Sequence, residues 1–162
     1  DHRDLHSFPT RRSSDLLKTT KKQIVFGEDS VIIQKWEGDI KGGRALDWTG
    51  VKDEVLYAGR VIVTDGKGTY KPLPIETDNY KALGTASDPL EHYKYAGVLY
   101  RSILNGEPAA IMTAGQVNKV AAKAANGADY PDAFLTAMPK IALVSDEDAN
   151  KFDESDATMD KD

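Results

Sequence analysis

The segment RVIVTDGKGTYKPLPI at Arg60–Ile75 is the feature that most constrains the fold. Two extended runs flank the tetrapeptide DGKG at 65–68, and the glycine after the aspartate supplies the positive φ that a tight hairpin turn requires. Pro72 and Pro74 alternate in the second run. Because proline has no backbone N–H, that run is expected at a sheet edge or as an irregular strand. The segment therefore predicts an antiparallel hairpin.

Further extended runs indicate the fold class. Tyr95–Ile103 predicts a strand that an Asn-Gly turn returns into a second hairpin arm at Ala109–Asn118, and Ile141–Val144 predicts a closing strand. Pro131–Pro139 predicts one short helix, since proline is tolerated in the first turn and after the end. Residues 119–128 are either a weak helix or a strand of small residues. We expect a mainly β fold, a small β-barrel or sandwich-like domain of hairpins with one or two short helices.

The chain divides into four parts by composition. Residues 1–16 contain too few and too irregular apolar residues to form a core, and we expect them to be disordered. Residues 17–48 are predicted to be an N-terminal extended arm, and residues 49–144 to be the β-rich domain. Residues 145–162 predict an acidic, solvated and disordered tail.

The charge distribution excludes several classes of protein. The tail holds eight acidic and two basic residues, and the first sixteen residues are neutral, so residues 17–144 carry about +1 of the chain's net −5. Lysines and arginines are scattered, and the tail would repel a phosphate backbone, which argues against a nucleic-acid partner. The tail lacks the glycine and the spacing of a calcium loop. No apolar run approaches the ~18 residues that would span a membrane.

The first sixteen residues, DHRDLHSFPTRRSSDL, resemble a conceptual translation of a short-read sequencing adapter, of which HSFPTRRSSDL is the recurrent signature in metagenomic reading frames. The resemblance implies a non-native segment. It also implies that the native N-terminus lies at or upstream of Leu17. His2 and His6 are then given no functional role.

The inventory of reactive groups is thin. The chain has no cysteine, and its remaining histidine, His92, lies in a polar stretch where exposure or a turn role is expected. No nucleophile elbow, zinc-binding HExxH motif or phosphate-binding loop is present. Asp47 and Asp53 form the one candidate carboxylate pair, and a small hydrolase built on them is the least favoured hypothesis. We therefore expect no enzymatic activity, no cofactor and no metal.

Two tryptophans are the candidate contact residues. Trp36 and Trp48 each lie in a short extended segment beside glycines, where they either cap the edges of a small β core or anchor a protein partner. If the N-terminal arm is extended, Val31, Ile33 and Trp36 form a row that adds a strand to a neighbouring sheet. Both interpretations remain open at this point.

The order and spacing of five segments within residues 42–144 resemble the small decoration and head-fibre proteins of tailed bacteriophage capsids, particularly those of gut phages. The segments are ALDWTG at 45–50, AG-x-V-I at 58–62, D-G-x-G-x-Y-K-P-L at 65–73, A-G-V-L at 96–99 and I-M-x-x-G-x-V-N at 111–118. The resemblance implies a β-rich, non-enzymatic and often trimeric domain that binds the outer face of an assembled capsid.

Two functions from different classes follow. The first is a structural virion protein on the capsid exterior, decorating the head or forming the base of a head fibre, with the phage major capsid protein and further copies of this chain as partners. The alternative is a carbohydrate-binding or adhesin-like module that stacks sugars on Trp36, Trp48 and the Tyr80–Tyr95 loop. The polar, turn-rich stretch Glu76–His92 within that region predicts a surface loop long enough to be an interaction surface.

Overall fold

The computed structural model describes residues 28–145, and within them the fold is mainly β, with 37% strand and 15% helix. The elements in chain order are α1 (Asp29–Ile32), β1 (Ile33–Asp39), β2 (Val55–Leu56), β3 (Val61–Thr64), β4 (Tyr70–Pro72), β5 (Ile75–Glu76), β6 (Asn79–Tyr80), β7 (Lys94–Leu99), β8 (Ile103–Leu104), β9 (Ile111–Asn118), α2 (Lys119–Asn126), α3 (Asp132–Ala137) and β10 (Ile141–Val144). The expected fold class is confirmed. The described part contains three short helices rather than one or two.

The main sheet has six strands, with the order β1-β9-β7-β3-β4 and with β10 also hydrogen-bonded to β9. Every pairing on this path is antiparallel except that of β10, which runs parallel to β9. Two small pairings, β2 with β8 and β5 with β6, lie outside the main sheet. Within residues 28–145 the strands do not close into a barrel, so the sandwich-like alternative describes the domain better.

The two faces of the main sheet bury two separate hydrophobic clusters. Alternating side chains point to opposite faces of a strand, and this divides β3: Val61 and Val63 enter the first cluster and Ile62 enters the second. The first cluster also takes Phe134 from α3 and Ala122 from α2, so both helices cover that face. The second cluster is covered by short segments of residues 40–56 and 103–109. Central strands are therefore buried on both sides.

The hairpin predicted at Arg60–Ile75 is confirmed as β3 and β4. The Asp65 carboxylate accepts hydrogen bonds from the backbone N–H groups of Lys67 at 2.8 Å and Thr69 at 3.0 Å, which closes the turn. The first of these bonds is the main reason that the pKa of Asp65 is lowered. β4 is the last strand of the sheet, and Pro72 lies in it, as expected for an edge strand.

The N-terminal segment differs from its prediction. Residues 17–48 are expected to form an extended arm, but the described part of this segment contains α1 and then β1, which is hydrogen-bonded to β9. The Asp29 carboxylate accepts hydrogen bonds from the N–H of Ser102 at 2.9 Å and from its hydroxyl at 2.5 Å, tying α1 to the segment after β7. Ile32 and Ile33 are buried in the first cluster. This stretch belongs to the domain because its apolar side chains find partners there.

Two further predictions are refined. Residues 119–126 form helix α2 because the Asn118 side chain accepts hydrogen bonds from the N–H groups of Val120 and Ala121, and Gly127 ends the helix in the left-handed conformation. The stretch Glu76–His92 is mostly turns, as expected for a surface loop, but it includes β6 and buries Leu90 in the first cluster.

Glycine is required where β1 crosses β9 closely. Gly115 has φ +147°, and a Cβ there would overlap the Lys35 carbonyl oxygen and lie 2.9 Å from the Met112 sulfur. The β1–β9 register shifts on either side of this crossing. The glycine of the I-M-x-x-G-x-V-N segment is thus explained by strand packing.

Three sequence predictions concern residues that lie wholly or partly outside the described range. The adapter-like segment 1–16, the first part of the arm and nearly all of the acidic tail lie outside residues 28–145. Among the residues that are described, no helix is both long enough and apolar enough to cross a membrane.

Candidate functional site

A cleft of about 580 Å³ lies between three segments that are distant in sequence. One wall is the loop at residues 47–53, which precedes β2. A second wall is formed by residues 71–75 of β4 and β5, and a third by residues 88–90, with Lys81 beside them. Ligand pockets commonly have volumes of roughly 300–1,000 Å³, so the cleft is of a size that admits a small molecule.

Arg60 is the most unusual residue of this cleft. Arg60 directly precedes β3 in the chain. It is only 6% exposed, although arginine is rarely buried without a partner. The guanidinium lies over the Tyr80 ring, 5.6 Å from the ring centroid, and its Nε has no hydrogen-bond partner among the described residues. Burial lowers the pKa of Arg60, while the charges of Tyr80 and Asp53 raise it. The cleft therefore contains a buried cation that no carboxylate of residues 28–145 contacts as an ion pair.

The walls of the cleft carry two ion pairs. Lys71 Nζ lies 3.1 Å from the Asp47 carboxylate, and Lys81 Nζ lies 2.5 Å from that of Asp88. Hydrogen bonds from Thr49 and the pairing with Lys71 lower the pKa of Asp47 to about 2. These four charges are satisfied by one another.

Asp47 and Asp53, the predicted carboxylate pair, do line the same cleft. Asp47 is held ionised by its bonds to Thr49 and Lys71, so it has no proton to donate at neutral pH. His92 is exposed and is not among the cleft residues. Within residues 28–145, no group of three or more histidine, aspartate or glutamate residues is arranged to hold a metal ion.

The four predicted contact residues do not form one surface. Val31 lies on α1 and Trp36 on β1, each 52% exposed, whereas Ile33 between them is 8% exposed and belongs to the first cluster. Trp48 is half-buried against the second cluster, and its Nε1 has no hydrogen-bond partner in the described part of the chain. The predicted row of Val31, Ile33 and Trp36 is wrong, because a helix ends and a strand begins within it.

β1 is nevertheless an exposed edge. From Gln34 to Glu37 all four residues are exposed, so both faces of the strand meet solvent here. β1 is the end strand of the main sheet, and no described strand pairs with its outer side. Trp36 lies in the middle of this stretch. An edge strand with a half-exposed tryptophan is a suitable surface for adding a strand from a partner.

The sequence prediction missed Arg60. Its only local signal is its position directly before the apolar run VIV of a predicted strand, where a charged residue is easily taken for the polar end of that strand. Residues 80 and 126, which help to enclose it, are far away in the chain.

Comparisons of this chain with protein-family models, with curated proteins and with solved structures give no match.

Proposed function

We propose that the protein is a structural virion protein that binds the outer surface of a phage capsid through the exposed edge strand β1, with the major capsid protein as its partner. The observation that carries this proposal is the exposure of β1 on both faces around Trp36. An added strand would gain main-chain hydrogen bonds along this edge, and the exposed half of the Trp36 indole would supply an aromatic anchor.

The resemblance supports the same function. Four of its matched segments overlap strands of the main sheet: AG-x-V-I overlaps the start of β3, D-G-x-G-x-Y-K-P-L contains β4, A-G-V-L lies in β7, and I-M-x-x-G-x-V-N is the whole of β9. These segments contribute four neighbouring strands of the main sheet, β3, β4, β7 and β9. A likeness spread over the sheet in this way belongs to a whole domain rather than to a local motif.

The mode of action is non-enzymatic and depends on repetition. A capsid offers the same surface many times, and a homo-oligomer such as a trimer engages several copies at once, so weak individual contacts give strong total binding. Asp47 and Asp88 on the cleft walls are partly buried and paired with lysines. Hydrogen bonds and these pairings lower the pKa of each carboxyl group, and this is compatible with a non-enzymatic role. The proposed location is the exterior of the virion.

The carbohydrate-binding alternative is less well supported. Sugar stacking needs exposed aromatic faces, whereas Trp48 packs against the second cluster and Tyr80 is buried under Arg60. Tyr95 meets Phe134 edge-on, with 5.4 Å between ring centroids. Of the proposed stacking residues, these three face inward and Trp36 faces outward.

Co-sedimentation tests the proposal. The full chain is mixed with assembled capsids of the phage that carries the gene, or with free coat subunits, and bound protein is measured after centrifugation. We expect saturable binding to capsids and at least tenfold weaker binding to subunits. Trp36→Ala should weaken capsid binding at least tenfold, equivalent to about 1.4 kcal/mol.

Tyr57→Ala is the matched control, since Tyr57 is a similarly exposed aromatic residue that lies beside β2 and outside β1. Its binding should stay within twofold of the unmodified chain. Equal binding to capsids and free subunits would contradict the recognition of a lattice. Equal loss in both variants would contradict the assignment to β1.

A further inference from the structure

Arg60 lies among charged side chains that do not pair with it. Seven charged side chains line the cleft: Lys52, Arg60, Lys71, Lys81, Asp47, Asp53 and Asp88. The two wall ion pairs remove four of these charges from the balance. Of the remaining three, Lys52 and Asp53 are exposed and solvated, whereas Arg60 is buried. Glu76, just outside the lining, also lies 3.6 Å from Lys81 Nζ, so the charges around the cleft nearly balance. Arg60 is the buried cation of the cleft, and it forms no ion pair with any described residue.

A buried guanidinium with an unused N–H is costly for the protein to keep. Desolvating an ion has a large penalty that only a well-placed opposite charge and hydrogen bonds offset. The Tyr80 ring face offsets part of it, and Asp53 contributes only through space. A residue of this kind at the wall of an accessible cleft is prepared for an anion that the described residues do not supply.

The rest of the cleft lining defines what accompanies that anion. Val51, Ile75 and Leu90 contribute aliphatic surface from three different segments, and prolines at 72, 74 and 89 add rigid apolar walls. Asn126, also in the lining, donates its amide hydrogens to the carbonyl oxygens of Ala58 and Ala122. A bare inorganic ion would leave most of this apolar surface in contact with water.

We propose that the Arg60 cleft binds a small organic carboxylate with a compact apolar body, the carboxylate accepting hydrogen bonds from the guanidinium and the body lying against Val51, Ile75 and Leu90. Arginine presents its N–H groups in a planar fork that matches a carboxylate. The apolar lining favours an organic carboxylate over inorganic phosphate, which has no apolar body to cover it. This site is separate from β1 and does not depend on capsid binding.

Isothermal titration of the full chain with benzoate tests the proposal, with neutral benzamide as a ligand of nearly the same shape. We expect saturable binding of one benzoate per chain and at least tenfold weaker binding of benzamide. Arg60→Met should weaken benzoate binding at least tenfold, since it keeps an unbranched apolar stem and removes the charged guanidinium. Inorganic phosphate should bind at least tenfold more weakly than benzoate.

Arg101→Met is the matched control for a lost arginine. Arg101 also lies 5.6 Å from a tyrosine ring centroid, that of Tyr100, but it is exposed and outside the cleft. Its benzoate affinity should stay within twofold of the unmodified chain. Equal affinities for benzoate and benzamide, an unaltered affinity in Arg60→Met, or phosphate binding as tight as that of benzoate would overturn the proposal.

Asp53→Asn keeps the test decisive if Arg60→Met does not fold. Asp53 is the acidic residue whose charge acts on Arg60 from the same cleft and is exposed, so its replacement should leave folding intact. Removing that charge should tighten benzoate binding about two- to threefold, because the carboxylate then has no competitor for the guanidinium. Unchanged or weaker binding would overturn the proposed location of the anion.

Discussion

β9 and β1 are hydrogen-bonded neighbours with opposite surroundings. None of the eight residues of β9 is exposed, because it lies between β1 on one side and both β7 and β10 on the other. β1 is buried at Ile33 and exposed from Gln34 to Glu37. β9 is therefore an interior strand and β1 an edge strand, although backbone hydrogen bonds join the two.

This difference separates stability from recognition. Side chains on β9 enter both hydrophobic clusters, Ile111 on one face and Met112 on the other, so they contribute to packing across the whole domain. Side chains in the middle of β1 contribute little to either cluster and remain available to a partner. We therefore expect substitutions in β9 to change the free energy of unfolding and substitutions in β1 to change binding.

Gly115→Val should have the largest effect, because it disrupts the crossing that the two strands share. The new side chain would overlap the Lys35 carbonyl oxygen at a φ of +147°. Strain at positive φ costs about 1–3 kcal/mol and overpacking about 1–3 kcal/mol, so we expect a loss of roughly 4 kcal/mol in the free energy of unfolding. Urea unfolding followed by circular dichroism measures it.

Gly106→Val is the control for that substitution. Gly106 also has positive φ, +90°, but a Cβ there has nothing within 4 Å, so the conformational strain remains and the overlap is absent. Its loss should be about 1–2 kcal/mol. Equal losses at the two positions would mean that the close approach of β1 and β9 contributes nothing.

Met112→Ala tests the interior strand alone. Met112 is fully buried in the first cluster, and removing its side chain leaves a cavity that the surrounding residues fill only in part. We expect a loss of about 3 kcal/mol in the free energy of unfolding, with Met112→Leu below about 1.5 kcal/mol as a control of similar volume. A loss below 1 kcal/mol for the alanine variant would contradict the expectation that the packing of β9 is a main source of the domain's stability.

Trp36→Ala should have the smallest effect on stability, although it is the larger deletion. Because half of the indole already meets solvent, we expect a change within about 0.5 kcal/mol in the free energy of unfolding. The same urea series measures it. A loss comparable to that of Met112→Ala would show that β1 is part of the core after all, and would remove the contrast on which its binding role rests.

Much of the sheet could be predicted because its signals are local. The DGKG turn and the alternating prolines predict β3 and β4, and the proline-bounded segment at Pro131–Pro139 predicts α3. The helix at Asp29–Ile32 was not predicted, since β-branched residues such as Val31 and Ile32 favour a strand. Its conformation is held instead by Asp29, which bonds to Ser102 far along the chain.

The candidate sites were harder to predict than the fold. Trp36 and Trp48 are equivalent candidates in the sequence, but Trp36 is half-exposed on β1 whereas Trp48 packs against the second cluster. Arg60 was not identified at all. The environment of a side chain depends on residues that come from elsewhere in the chain, and a single sequence contains no record of those contacts.

The sequence by itself determined the longer strands after residue 60, the DGKG turn and the edge position of the proline-containing strand, because these follow from backbone sterics and from the two-residue period of a strand. Only the tertiary structure decided that β9 is interior while β1 is an edge, and that Arg60 is buried at a cleft. Burial and charge compensation are properties of segments brought together from across the chain, and local steric preferences do not specify which segments meet.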